Sequence, residues 1–112
     1  MIERVDQLLI TASPGDAITS MALELREALR QEHPSDIFAL SVLPQLQGDI
    51  HQLDDLPPSS RRGVIVYHAS YGEPKVTDVL LKRREHLILA YHNLTPAKFF
   101  MAHSSEFATG VQ

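Results

Sequence analysis

"LILAYHNLTP", residues 87–96, decides the reading of the fold. An apolar run of strand length ends in Tyr-His-Asn, and the Leu-Thr-Pro that follows suits a helix start. "GVIVYHASYG", residues 63–72, behaves in the same way, so two apolar runs each finish in a Tyr-His pair. A buried strand has little use for a histidine. The repetition therefore asks what the two strands share at their carboxyl ends.

Outward from these runs the chain alternates. Residues 5–12, "VDQLLITA", read as a first strand, and "SPGDAI" follows with helix-start chemistry. There Ser13 is the expected cap, Pro14 the first helical residue and Asp16 a negative charge in the first turn. Ile18, Met21, Ala22, Leu25 and Leu29 recur at helical spacing, with Glu24, Arg26, Glu27 and Arg30 on the outer face. "HPS" stops that helix, and residues 36–42 read as the second strand. Residues 43–62 are polar, carry three prolines and show no sustained period, which makes them a long crossover loop with room for one short edge strand around "DIHQL". A strand over 63–69, a helix over 74–84 with Val76, Val79 and Leu80 inward, a strand over 86–91 and a final helical start capped by Thr95 complete the pattern.

Strands alternating with helices predict an α/β fold, a three-layer Rossmann-like open parallel sheet covered on both faces. Right-handed crossovers place the first strand centrally, between the second strand and the 63–69 strand. In such sheets ligands bind outside the carboxyl ends of the strands, where the strand order reverses. "SPGD", "YHASYG" and "YHNLTP" all leave their strands at that edge.

Composition narrows the function. A chain of 112 residues, 44% apolar and 21% charged, has room for one core, so residues 1–112 are read as a single domain. The formal charge of −4 leaves no electrostatic footprint for a nucleic acid. Without cysteine there is no disulfide framework, thiolate zinc site or cysteine nucleophile, which fits a cytoplasmic protein. The start is acidic and its apolar run breaks too early for a signal peptide. Lys82, Arg83 and Arg84 read as the cationic end of a helix.

His68 and His92 are expected on neighbouring strands at one rim, beside the Gly15 turn. Gly15 would let a ligand approach the backbone, and the helix amides behind it could meet an anion. "SPGDAI" lacks the further glycines of a dinucleotide fingerprint. A neutral imidazole both donates and accepts, which suits it to hydroxyl groups; either ring could equally bond a loop carbonyl and do no chemistry. Two histidines without a third ligand make a poor metal site. Asn93 and Thr95 could bond a polyhydroxyl ligand, Thr95 having the competing role of helix cap. Strand alternation turns Tyr67 and Tyr91 to the opposite side, as packing residues. No G-x-S-x-G elbow is present, which removes the common α/β-hydrolase reading.

Together, "SPGDAI", "SDIFAL", "VIVYHASYGEP" and "LILAYHNLTPAKFF" resemble the amino-terminal Rossmann-like domain of GT-B glycosyltransferases of the retaining group 1 (family 4) type. The likeness runs from about residue 5 to the end and lies in the succession of segments. It implies an acceptor-binding domain whose partner domain binds a nucleotide-sugar donor as co-substrate, with no other cofactor and no metal. It also implies that Pro14, Gly15 and Asp16 approach the donor diphosphate and that His92, with Asn93 beside it, faces the transferred sugar as the catalytic position. His68 and the loop of Ser70, Tyr71 and Gly72 would line the acceptor side. The donor-binding domain, with its phosphate clamp and paired glutamates, is not in this sequence, so the chain alone is expected to be inactive. A sugar or lipid-linked acceptor is the expected partner, with peripheral membrane association of the parent enzyme. An apolar surface near Phe99, Phe100 and Phe107 is expected to drive homo-oligomerisation. The competing expectations are a stand-alone interaction or ligand-binding module that keeps the fold without catalysis, and a flavodoxin-like binding domain, for which no phosphate loop is present.

Overall fold

The computed structural model describes residues 1–69 and 73–91 in full and the backbone of residues 98–102. Its elements are β1 (Arg4–Ala12), α1 (Ala17–Leu29), β2 (Ile37–Val42), β3 (His51–Gln52), β4 (Gly63–Ala69), α2 (Pro74–Leu81), β5 (His86–Tyr91) and β6 (Lys98–Ala102). They form one sheet in the order β3-β2-β1-β4-β5-β6. β1 is central and pairs in parallel with β2 on one side and β4 on the other, and β4 pairs in parallel with β5. The expected Rossmann-like α/β architecture and its strand order are therefore present.

Two features depart from expectation. β6 runs antiparallel to β5, with Leu89 opposite Phe100, so the sheet is mixed at this edge. The sequence predicts a helix opening at Pro96 behind a Thr95 cap; the backbone of 98–102 is instead extended, in keeping with the strand preference of an aromatic pair. The Phe99 and Phe100 side chains, and Phe107, lie outside the described residues.

The strands are apolar on both faces because both are covered. On one face Leu8, Ile10, Phe38, Ile65, Tyr67, Leu87 and Leu89 pack with Val76 and Leu80 of α2 and with Leu53 of the crossover. On the other, Leu9, Ile37 and Ala39 pack with Ala22, Ile18 and Leu23 of α1, and Val5, Val64, Val66 and Ala90 form an adjoining cluster with Leu29. Alternation along β1, from Leu8 to Leu9, separates the two layers. The inward stripe of α1 is rotated from the expected one. Thr19, Ala22 and Arg26 are its buried residues, whereas Met21 is 42% exposed. Arg26 turns inward because its Nη1 donates to the Asp49 carbonyl at 2.6 Å, tying α1 to the crossover.

That crossover is packed rather than loose. Two 3₁₀ turns, Pro44–Leu46 and Leu53–Asp55, flank β3, and Ile50 and Leu53 are buried. The His51 ring lies 5.3 Å from that of Phe38, its partner across the β2–β3 ladder. Among the described residues no helix is long and apolar enough to cross a membrane.

Candidate functional site

The "SPGD" segment leaves the carboxyl end of β1 as a turn: the Asp16 amide donates to the Ser13 carbonyl at 3.2 Å, and Gly15 has φ of +78°. That sign at the third residue is the type II requirement, met by glycine without strain. Pro14 fills the second position, where its fixed φ fits. The cap is consequently Asp16 and not Ser13, and Pro14 precedes the helix instead of opening it. Asp16 Oδ2 accepts from the Thr19 amide at 2.9 Å and from the Thr19 hydroxyl at 3.0 Å. The Ser13 amide donates to that hydroxyl at 3.2 Å, closing a small ring of bonds around the start of α1.

This geometry cuts two ways. Beyond its chain neighbours, no described residue comes within 4 Å of a Cβ built on Gly15, so none of them blocks close approach by a ligand there. The Asp16 carboxylate, however, already occupies the electropositive helix start that would otherwise attract an anion.

His68 is the penultimate residue of β4, beside Ala90 of β5. Its ring does not stand on an open rim: the residue is 2% exposed and lies on the α1 face, with Nε2 2.7 Å from Oε1 of Gln7. Gln7 is itself wholly buried, and its Nε2 donates to the Ala22 carbonyl of α1 at 2.9 Å. Sequence reasoning missed Gln7. The signal was an amide inside the apolar run "VDQLLITA", where burial demands a polar partner. Tyr67 packs on the opposite face, as alternation requires.

Pro14, Gly15, Asp16 and His68 thus occupy segments at or next to the carboxyl ends of the adjacent strands β1 and β4. Ser70, Tyr71, Gly72, His92, Asn93 and Thr95 lie outside the described residues. The described residues contain no group of three or more His, Asp or Glu side chains placed to hold a metal ion.

The amino edge of the sheet is closed by charge. Arg4 donates through Nε and Nη2 to both oxygens of Asp6, at 2.7 and 2.8 Å, and through Nη2 to Asp36 at 2.8 Å. Arg30 reaches the same Asp36 carboxylate at 3.0 Å, and Asp6 accepts from the Asp36 amide at 3.0 Å. Hydrogen bonding to Asp6 is the main cause that holds the Arg4 guanidinium even more firmly protonated than usual. Further along, Glu85 accepts from the Ser59 hydroxyl at 2.9 Å, from the Ser60 amide at 3.0 Å, and from two nitrogens of Arg83 at 3.1 and 2.9 Å. Arg84 binds the Ser59 carbonyl at 3.2 Å. Arg83 and Arg84 therefore fasten the crossover to the β5 entrance instead of closing α2. Two grooves formed by described residues lie away from the carboxyl edge. One, of about 570 Å³, runs along Arg30–Asp36, and the other, of about 270 Å³, lies beside β3 at Gln47, Ile50, His51, Gln52 and Asp55.

Comparison of the chain with protein-family models, curated protein sequences and solved structures gave no match.

Proposed function

We propose that this chain is the acceptor-side domain of a retaining GT-B glycosyltransferase, which passes a sugar from a nucleotide-sugar donor to a sugar or lipid-linked acceptor. The observation that carries the reading is the reversal of strand order at β1. It brings the Pro14–Gly15–Asp16 turn and the His68 end of β4 to one sheet edge, the position that the resemblance of "SPGDAI" and "YHNLTPAKFF" gives to a sugar-transfer cleft. In this reading His92 is the catalytic position facing the transferred sugar, Asn93 and Thr95 bond its hydroxyls, and Ser70, Tyr71 and Gly72 line the acceptor side, while His68, buried against Gln7, supports that edge instead of lining it. The chemical task is to stabilise charge on the departing diphosphate, with the donor held mainly by the second domain.

The experiment is transfer by the chain joined to its donor-binding domain. Transfer with retention at the anomeric carbon, abolished by His92→Ala while thermal stability holds, supports the reading. Transfer that survives His92→Ala overturns the assignment of that residue, and inversion at the anomeric carbon overturns the enzyme class.

One observation favours a second reading, a binding module without catalysis. The Asp16 carboxylate caps α1 where a donor phosphate would be expected. Under that reading, the joined protein binds a partner or ligand at the carboxyl edge and transfers no sugar.

A further inference from the structure

Gln7 stands in the middle of β1 and is wholly buried, where an amide is costly unless both of its ends are bonded. Both are. The direction of those bonds follows from chemistry. The Ala22 carbonyl, 2.9 Å away, can only accept, so the Gln7 NH₂ must face it. The Gln7 carbonyl oxygen then faces His68 Nε2 at 2.7 Å and, being unable to donate, requires a hydrogen on that nitrogen. Turning the amide round would set carbonyl against carbonyl at Ala22.

We infer that Gln7 is a positioning residue that holds the buried His68 ring as its Nε2–H tautomer, which leaves Nδ1 as the acceptor of the neutral ring. The inference rests on the hydrogen-bond geometry and not on the sugar-transfer reading: it fixes which ring nitrogen carries the hydrogen, so that any group facing Nδ1 of the neutral ring must donate to it. The bonds also join two of the segments that meet at the carboxyl edge. α1 starts at the Asp16 cap, its Ala22 carbonyl holds Gln7, and Gln7 holds the ring at the end of β4. A sideways shift of α1 over β1 would therefore disturb His68 through one intervening side chain.

The test is long-range proton–nitrogen NMR on the protein with labelled histidine, at a pH above the ordinary histidine range so that the ring is neutral. His68 should show a protonated Nε2 and an Nδ1 that carries no hydrogen. Gln7→Leu should lose that pattern to Nδ1–H or to a mixture. Wild-type protein with Nδ1–H, or a Gln7→Leu spectrum identical to wild type, overturns the inference. Should Gln7→Leu fail to fold, the wild-type spectrum decides, and a mixed tautomer in it overturns the inference. The pattern is read without ligand, so its failure is distinct from failure of the sugar-transfer reading, which shows in the transfer assay.

Discussion

Arg4, the first residue of β1, holds the Asp36 carboxylate just before β2 at 2.8 Å while its own orientation is fixed by two bonds to Asp6. The two strands are thereby clamped where they enter the sheet. The exit of β1 carries the Gly15 turn and the exit of the neighbouring β4 carries the buried His68, which is held through Gln7 by neutral hydrogen bonds instead of ion pairs. The division is a physical one. Charge pairs at the amino edge fix the strands, and the carboxyl edge keeps the polar groups that could meet a ligand.

Within that clamp Asp6 matters most, because it is 4% exposed and serves both Arg4 and the Asp36 amide. Asp6→Ala leaves a half-buried guanidinium with one carboxylate and strips an acceptor from a backbone amide. The expected loss is about 2–3 kcal/mol. Asp36→Ala, at a more exposed side chain, should cost about 1 kcal/mol. Urea denaturation of both variants checks the order, and a larger loss for Asp36→Ala would show that the clamp centres elsewhere.

Acid should loosen both ends of this edge. Burial pushes Glu85 and Asp36 upward, but hydrogen bonds from Arg83, the Ser60 amide and Ser59 outweigh it at Glu85, as those from Arg4 and Arg30 do at Asp36. Both carboxyls therefore lie below their ordinary values of 4.5 and 3.8. With the folded value below the unfolded one, the stabilisation is complete above the ordinary values. It is lost as the pH falls through them to the lower folded values, because the unfolded chain takes up protons first. The melting temperature should hold down to about pH 5 and then descend. Glu85→Gln should lower the plateau and make the descent shallower. A melting temperature already falling between about pH 7 and 6 would assign the transition to histidines instead.

The strands were legible because each is an apolar run bounded by turn residues. β4 and β5 fall at 63–69 and 86–91, where the runs placed them. The strand order followed from crossover handedness. What the sequence hid were long-range polar partners. Arg26 is buried by a carbonyl 23 residues away, and Gln7 reaches a histidine 61 residues away. Neither leaves a periodic trace. β6 was missed because Thr-Pro reads as a helix start, while its antiparallel pairing with β5 is a tertiary property. At the site, the three residues of the Gly15 turn could be placed and their roles could not: Ser13, Pro14 and Asp16 all suit a helix start, and only the positive φ of Gly15 moves the cap to Asp16.

Gly15→Ala isolates the cost of that backbone. Beyond its chain neighbours no described residue comes within 4 Å of the added Cβ, so strain at φ +78° is the expected effect, and about 1 kcal/mol should be lost. Gly15→Asn should lose less, since asparagine tolerates the left-handed region. Thermal melts of the two variants check this. Equal losses would point to a steric or solvation cause.

Asp16 offers the sharpest separation of structure from function, because its cap and its charge can be removed independently. Asp16→Ala deletes the acceptor shared by the Thr19 amide and hydroxyl and should cost about 1–2 kcal/mol. Asp16→Asn keeps an acceptor oxygen and should cost only about 0.5 kcal/mol, mainly the lost attraction between carboxylate and helix dipole. The same neutral variant removes a negative charge from the place where the resemblance brings a diphosphate. If α1 can serve an anion, Asp16→Asn should bind inorganic pyrophosphate several-fold more tightly than wild type, read by calorimetry or by shifts of the Gly15 and Ala17 amides. Unchanged binding, with those amides still, would mean that the cap carboxylate is not what keeps anions from this turn, and the helix start would then have a purely structural role.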